Sequence, residues 1–433
     1  MAKKNNGILP VSLNLNVRGL PVSATLAINE KSNALIREGR EVFKFGLGQS
    51  PFPVPEPVVD ALRKNAFQKD YLPVRGLMPL RESIARFNRK AHGLECTADD
   101  VIIGPGSKEL IFLLQMVYYG DLVIPTPSWV SYSPQAQIIG RPVTWVPTFE
   151  KDNWLLTPEK LEIICRADPD RPRVVILNYP NNPTGCTYKL AQLKEIARVA
   201  RAHKVVLISD EIYGLLNHSN KHVSISRFYP EGTIISSGLS KWCGAGGWRL
   251  GTFTFPPSLR WLLNAMASVA SETYTATSAP IQYAAIVAFD GSPEIDKYLR
   301  ASRRILHALG KHVTKKLTKH HVKVPEFQGA FYLFPNFEHY REKLIKKNIY
   351  TSVELCDHIL EDTGVAMLPG RDFGRQPEEL TVRIAYVDFD GAAALEAEAK
   401  CDKYKDFNGN FLNENCGKIV TATEKLCNWL KAL

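Results

Sequence analysis

Four short segments carry side chains whose types and spacing could do chemistry. Residues 237–251 (SGLSKWCGAGGWRLG) set Lys241 in a glycine-rich stretch, with Arg249 eight residues later. A lysine amine attacks carbonyls and, when neutral, carries protons. An arginine presents a planar fork that suits a phosphate or a carboxylate. Residues 209–213 (SDEIY) put an acid pair, Asp210 and Glu211, directly after an apolar run, and Glu211 is expected to be the helix cap or surface acid of the two. Residues 178–185 (NYPNNPTG) are too rich in amides and prolines for a generic connection, and residues 381–386 (TVRIAY) carry Arg383. Each has a bland reading on its own: a lysine near glycines is usually a solvated surface residue, and a lone arginine is usually half of a surface ion pair.

The elements that must position these residues follow from the pattern between them. Residues 173–177 read as a buried strand ending at Asn178, residues 190–203 as an amphipathic helix, residues 205–208 as the next strand and residues 233–235 as another. Strand, helix, strand at this rhythm predicts a mostly parallel sheet covered on both faces, with ligands gathered at the carboxyl ends of its strands. Upstream, residues 101–103 lead through Gly104-Pro105-Gly106 into a helix over 107–117, a helix N-terminus whose free N–H groups can hold an anion. The third glycine of a dinucleotide fingerprint and the lysine of a P-loop are both missing. From about Pro293 the chain changes to long charged helices with strands at 330–334 and 380–385, which suggests a smaller α+β domain. An orphan strand at 43–47 is expected to pack with it. The expected division is 1–60 as an N-terminal segment, 61–300 as the large domain and 301–433 as the small one.

Together and in order, the four segments resemble the fold-type I, pyridoxal-phosphate-dependent aminotransferases of class I/II, aspartate/aromatic-aminotransferase-like, from about Ser23 to at least Phe389. The resemblance implies an α/β fold with a mostly parallel central sheet, helices on both faces and a smaller α+β domain, residues 61–300 binding the cofactor. It implies a homodimer with shared active sites and a ping-pong transfer of an amino group from an L-amino acid, such as aspartate or an aromatic one, to a 2-oxo acid such as 2-oxoglutarate. Lys241 would hold the cofactor aldehyde as an imine and, once released, shift the substrate α-proton. Asp210 would pair with the pyridine nitrogen, and Asn182 and Tyr213 would hydrogen-bond the ring 3-oxygen. Arg249 and the N–H groups of Gly106, Ser107 and Lys108 would hold the phosphate, with Tyr71 reaching that of the neighbouring subunit. Trp129 would stack on the ring; Arg383 would clamp the α-carboxylate, with Gly48, Asn182 and Trp129 bordering the substrate. Gly238 stands where relatives frequently have a phosphate-contacting serine, and Ser237 or Ser240 would have to substitute. Residues 23–25 are similar to a stretch that covers the active site in some relatives.

The same residues would serve a lyase or synthase of the same fold, such as a carbon–sulfur lyase or an aminocyclopropane carboxylate synthase, and that alternative stays open here. A cofactor-binding regulator is disfavoured, because no helix-turn-helix module stands ahead of Gly48. A distal substrate carboxylate would need a second cation, with Lys108, Arg75 and Arg371 as candidates. An apolar side chain would need lining from residues such as Phe52, Tyr132, Tyr274 and Phe373.

Composition sets the outer limits. With 433 residues, 45% hydrophobic and 23% charged, the chain is neither a small stapled scaffold nor disordered. Its net +10 is spread through short clusters (3–4, 311–321 and 341–347) that read as solvated helix faces, so no nucleic-acid partner is expected. Eight scattered cysteines with no CxxC fit a reducing cytoplasm, and no run of apolar residues is long enough for a membrane span. His218 and His222 are four apart but lack a third ligand, so no metal is expected. Residues 400–418 read as a polar insertion before a last helix over 420–430.

Overall fold

The computed structural model describes residues 12–401, 407 and 409–433. Lys3 and Lys4, and residues 402–406 and 408 of the expected insertion, lie outside the described residues.

A seven-stranded sheet forms the spine: β1 (Val101–Gly104), β2 (Asp121–Thr126), β3 (Val143–Pro147), β4 (Arg173–Asn178), β5 (Val206–Asp210), β6 (Thr233–Gly238) and β7 (Gly251–Thr254). Their spatial order is β1-β7-β6-β5-β4-β2-β3, and only β7 runs against its neighbours. Every residue of β4 and β5 is buried, as strands covered on both faces require. Alternation along β4 sends Val174 and Ile176 to a core shared with Leu110, Leu114 and Met266. Val175 and Leu177 go to the opposite core, with Leu193 and Ile196.

The helix after Gly106 spans Ser107–Val117, the range expected, and that after β4 spans Leu190–Ala202. Two strands run further than their apolar runs. β5 continues to Asp210, and β6 continues through Ser236, Ser237 and Gly238. Those residues are poor strand formers, but neighbouring strands hold them: Ser236 pairs with Asp210 and Phe253, Ser237 with Thr252 and Gly238 with Gly251. Register therefore brings Asn178, Asp210 and Ser236 into one row at the carboxyl edge.

The C-terminal part holds a small antiparallel sheet in which Val382–Ala385 lies between Leu368–Pro369 and Tyr332–Leu333. Phe43–Lys44 pairs in parallel with Val365–Ala366. The strands expected at 43–47 and 330–334 are thus only two residues long. Helix Pro293–Lys319 buries Leu299, Ile305, Leu309 and Val313 on one face and turns basic residues to solvent on the other. The polar insertion needs correcting: Gly409–Asn415 is a helix whose Phe411 and Leu412 are buried, ahead of the last helix Gly417–Lys431. Among the described residues no helix is long and apolar enough to cross a membrane.

Candidate active site

The carboxyl ends of β4, β5 and β6 open into a cleft of about 480 Å³. Lys241 enters it from the turn after β6. Its Nζ donates to the Gly48 carbonyl at 2.7 Å and lies 5.8 Å from the Tyr213 ring centre. Burial, followed by the positive charges of Arg383 and Arg249, pulls this amine down to about 8.

Asp210 ends β5 and is 2% exposed. Its carboxylate accepts the Tyr132 hydroxyl at 2.6 Å and the Ser236 hydroxyl at 3.3 Å. Burial pushes Asp210 up to about 6, against those hydrogen bonds. Asn178 ties the neighbouring turn in place: its Nδ2 donates to the Asp210 carbonyl at 2.9 Å and its Oδ1 accepts the Asn182 N–H at 2.8 Å. Asn182 in turn offers Oδ1 to Arg383 Nη1 at 3.1 Å, which leaves its Nδ2 as a donor.

Arg383 is 1% exposed and lies between the rings of Tyr332 (4.8 Å) and Phe373 (5.0 Å). One Nη donates to the Gly46 carbonyl, while Nε is buried without a partner among the described residues. A guanidinium this deep with a spare N–H is built to receive an acceptor from the cleft.

The opposite wall is an anion cradle. Gly106 has φ +94°, and a Cβ there would fall 2.3 Å from Arg249 Nη2. Arg249 is itself left-handed at φ 55° and donates to the carbonyls of Gly246 (2.9 Å) and Pro105 (3.3 Å). This aims the fork at the N-terminus of helix Ser107–Val117, where Ser107 and Ser240 also line the cleft. Lys108 lies beside it, with Nζ 5.3 Å from the Trp129 ring centre.

Residues 40–391 match the family profile described as aminotransferase class I and II. The chain belongs to that family. It is 36% identical over 385 residues to aspartate aminotransferase of Geobacillus stearothermophilus, covering 86% of this chain and 93% of that protein. It is 31% identical over 366 residues to aspartate/prephenate aminotransferase of Thermus thermophilus, covering 83% and 91%. Among solved structures, aspartate aminotransferase from Thermus thermophilus with maleate superposes with a TM-score of 0.82 at 27% identity, covering 97% of this chain and all of that one. The protein is a pyridoxal-phosphate-dependent transaminase of fold type I, and transaminase relatives do not favour the lyase or synthase alternative. The cleft fits the cofactor's chemistry. It offers an amine of lowered proton affinity, a buried carboxylate for a ring nitrogen, and a guanidinium held so close to a helix N-terminus that a Cβ on Gly106 would meet it.

Most of the expected site residues converge on the cleft: Lys241, Asp210, Asn182, Tyr213, Arg249, Trp129, Ser107, Lys108, Ser240, Arg383 and Gly48 line it, and Gly106 forms its edge. Tyr71 is 94% exposed and does not line it. Ser237 faces a different cavity, so of these two Ser240 is the one that lines this cleft. Gly238 could not be serine in this backbone, because a Cβ would sit 2.6 Å from the Leu250 carbonyl. Of the expected apolar lining only Tyr132 lines the cleft, with its hydroxyl bonded to Asp210; Tyr274 is hydrogen-bonded to the Ile103 carbonyl, Phe52 packs on Tyr298 and Phe389, and Phe373 backs Arg383.

Two groups escaped sequence reasoning. Tyr332, two residues after Ala330, places its hydroxyl 2.8 Å from that of Tyr213 and 3.5 Å from the Gly48 carbonyl. Glu211 is neither cap nor surface acid. It is 4% exposed and bound to His222. Among the described residues, no group of three or more His, Cys, Asp or Glu side chains could hold a metal ion.

Proposed function

We propose that this transaminase takes a dicarboxylic amino acid, aspartate first, with a dicarboxylic 2-oxo acid such as 2-oxoglutarate as acceptor. The observation that carries this is Lys108. Of the three candidate cations it alone lines the cleft, while Arg75 is engaged with Asn264 and the Asp99 carbonyl, and Arg371 is exposed elsewhere. The names of the relatives support the same reading, as does the dicarboxylate maleate that accompanies the Thermus thermophilus enzyme in its solved structure.

Each residue then has a task. Bound in the cleft, pyridoxal phosphate supplies a carbonyl carbon and an electron sink for the charge left at the substrate α-carbon. Lys241 Nζ holds the cofactor and, once displaced, moves the α-proton. Asp210 holds a proton at the ring nitrogen, Asn182 Nδ2 and Tyr213 donate to the ring 3-oxygen, and Trp129 covers one ring face. Arg249, the N–H groups of Ser107 and Lys108, and the Ser240 hydroxyl bind the phosphate, while the Gly106 N–H, expected to join them, donates to the Gly104 carbonyl at 2.7 Å. Arg383 takes the α-carboxylate beside Gly48, Asn182 and Trp129, and the Lys108 amine takes the distal one. Ser23, Thr25 and Leu26 also line the cleft.

The same proposal takes the enzyme as a homodimer in which Tyr71 serves the neighbouring site, supported by its exposure beside the exposed Phe67. It takes 61–300 as the cofactor-binding domain, with 1–60 packed on a small domain of 301–433. It places the protein in the cytoplasm, in keeping with eight free cysteines.

Lys108→Gln tests the substrate. A lost charge-assisted hydrogen bond of about 1.5–3 kcal/mol should lower kcat/KM for aspartate about 10- to 150-fold. Phenylalanine should be handled nearly as before. An equal loss for both would remove Lys108 from the distal carboxylate.

A further inference from the structure

Asp210 is the last residue of β5 and Glu211 the first beyond it, and the two side chains point to different cavities. Asp210 faces the cleft, and Glu211 faces a second cavity of about 230 Å³. Glu211 Oε1 accepts the hydroxyls of Ser209 (2.8 Å) and Ser224 (2.5 Å). Its Oε2 lies 2.6 Å from His222 Nε2 and 3.8 Å from His92 Nε2. The remaining ring nitrogens, Nδ1 of both histidines, are buried without partners among the described residues, as is Trp242 Nε1. All three side chains line the second cavity, and Trp242 directly follows Lys241.

A carboxylate this deep needs a countercharge, because the desolvation of an unpaired buried ion is heavily unfavourable. The groups facing it are His92, at the end of helix Met78–His92, and His222 from the loop after β5. Asp210 is beside it in the chain, and Tyr179 shares Ser209. Arg227 stands further out, bonded to the carbonyls of His92 and Ala91. Only the imidazoles face the carboxylate with a group able to carry positive charge: His222 is hydrogen-bonded to it, and His92, whose proton affinity burial lowers, stands behind at 3.8 Å. The cavity gives an imidazolium room for water at Nδ1.

We propose that Glu211, His92 and His222 are positioning residues for Asp210: the imidazoles cancel the Glu211 charge, so that Asp210 stays anionic where it faces the ring nitrogen of the cofactor. The inference rests on the assignment of Asp210 to that nitrogen. Two further facts support it. Against burial, which would raise it, the two histidines hold Glu211 down to about 2, and Glu211 is itself among the groups that raise Asp210.

The test is the pH titration of the visible absorbance of the loaded enzyme, compared across variants shown to be folded by circular dichroism. In H92Q/H222Q an uncancelled negative charge stands behind the sheet, so protons in the cleft are harder to remove. The midpoint should rise by about one pH unit. Adding Glu211→Gln to that pair should bring it back to within about 0.3 unit of the parent, since both charges are then gone. Damage to packing would add with each substitution and not reverse. If the histidine pair does not fold, H222Q alone carries the test with the same sign. An unmoved midpoint in the histidine variant, or a triple variant shifted further, overturns the inference. D210N separates the two layers. If it leaves the midpoint in place, the Asp210 assignment falls and this inference with it. If it moves the midpoint and the histidine pair does not, this inference alone falls.

Discussion

Lys241 shows how burial equips a surface-type side chain to act as a reagent. Burial penalises its ammonium form, and Arg383 and Arg249 add like charge, so its proton leaves around pH 8 instead of above 10. The sign follows directly: the neutral, nucleophilic amine is scarce below pH 8 and nearly complete two units above. The rate at which apoenzyme takes up pyridoxal phosphate should therefore rise through about pH 8 and level off before pH 10. A stopped-flow rate still climbing tenfold per unit above pH 9 would mean an ordinary lysine. At this scale the sequence is a good guide wherever a residue type has few uses: a lysine among glycines, an arginine eight residues on, an acid at a strand end. It fails where a partner lies far along the chain. Glu211 meets His92, 119 residues earlier, and Tyr213 meets Tyr332, 119 residues later; no local pattern announces either contact.

The elements that hold these residues are legible to the extent that their own composition asks for them. Helix Ser107–Val117 can be placed to the residue because a glycine turn starts it and an apolar face runs its length. The last residues of β6 cannot, because Ser236, Ser237 and Gly238 are strand only through their neighbours' hydrogen bonds. The turn before Ser107 is the element on which the proposed phosphate site depends most directly. Gly106→Ala would combine a positive φ of 94° with a Cβ 2.3 Å from Arg249 Nη2. That strain, about 1–3 kcal/mol, falls on the cradle and not on the core. Affinity for pyridoxal phosphate should drop about 5- to 150-fold, with thermal unfolding of the apoenzyme changed by only a few degrees. An unchanged dissociation constant by equilibrium titration would show that Arg249 does not depend on this turn.

For the whole molecule, the chain places its cleft where the central sheet meets the C-terminal part, so that Arg383 from Val382–Ala385 and Lys241 from the turn after β6 face one volume. Tyr71, 94% exposed, has its proposed task only with a second copy beside it. Mixing weakened Tyr71→Phe with inactive Lys241→Ala subunits should therefore give hybrid dimers with one restored site and up to about half the parental activity per hybrid. No recovery in hybrids proven by mass would leave each site complete within its own chain. The reaction itself is tested most directly by the visible spectrum of the loaded protein on adding single amino acids without any oxo acid. The prediction is that the visible band bleaches, with aspartate acting at lower concentration than phenylalanine and one equivalent of oxo acid released per site. A band that persists while ammonia or another elimination product accumulates would contradict amino transfer as the reaction of this cleft.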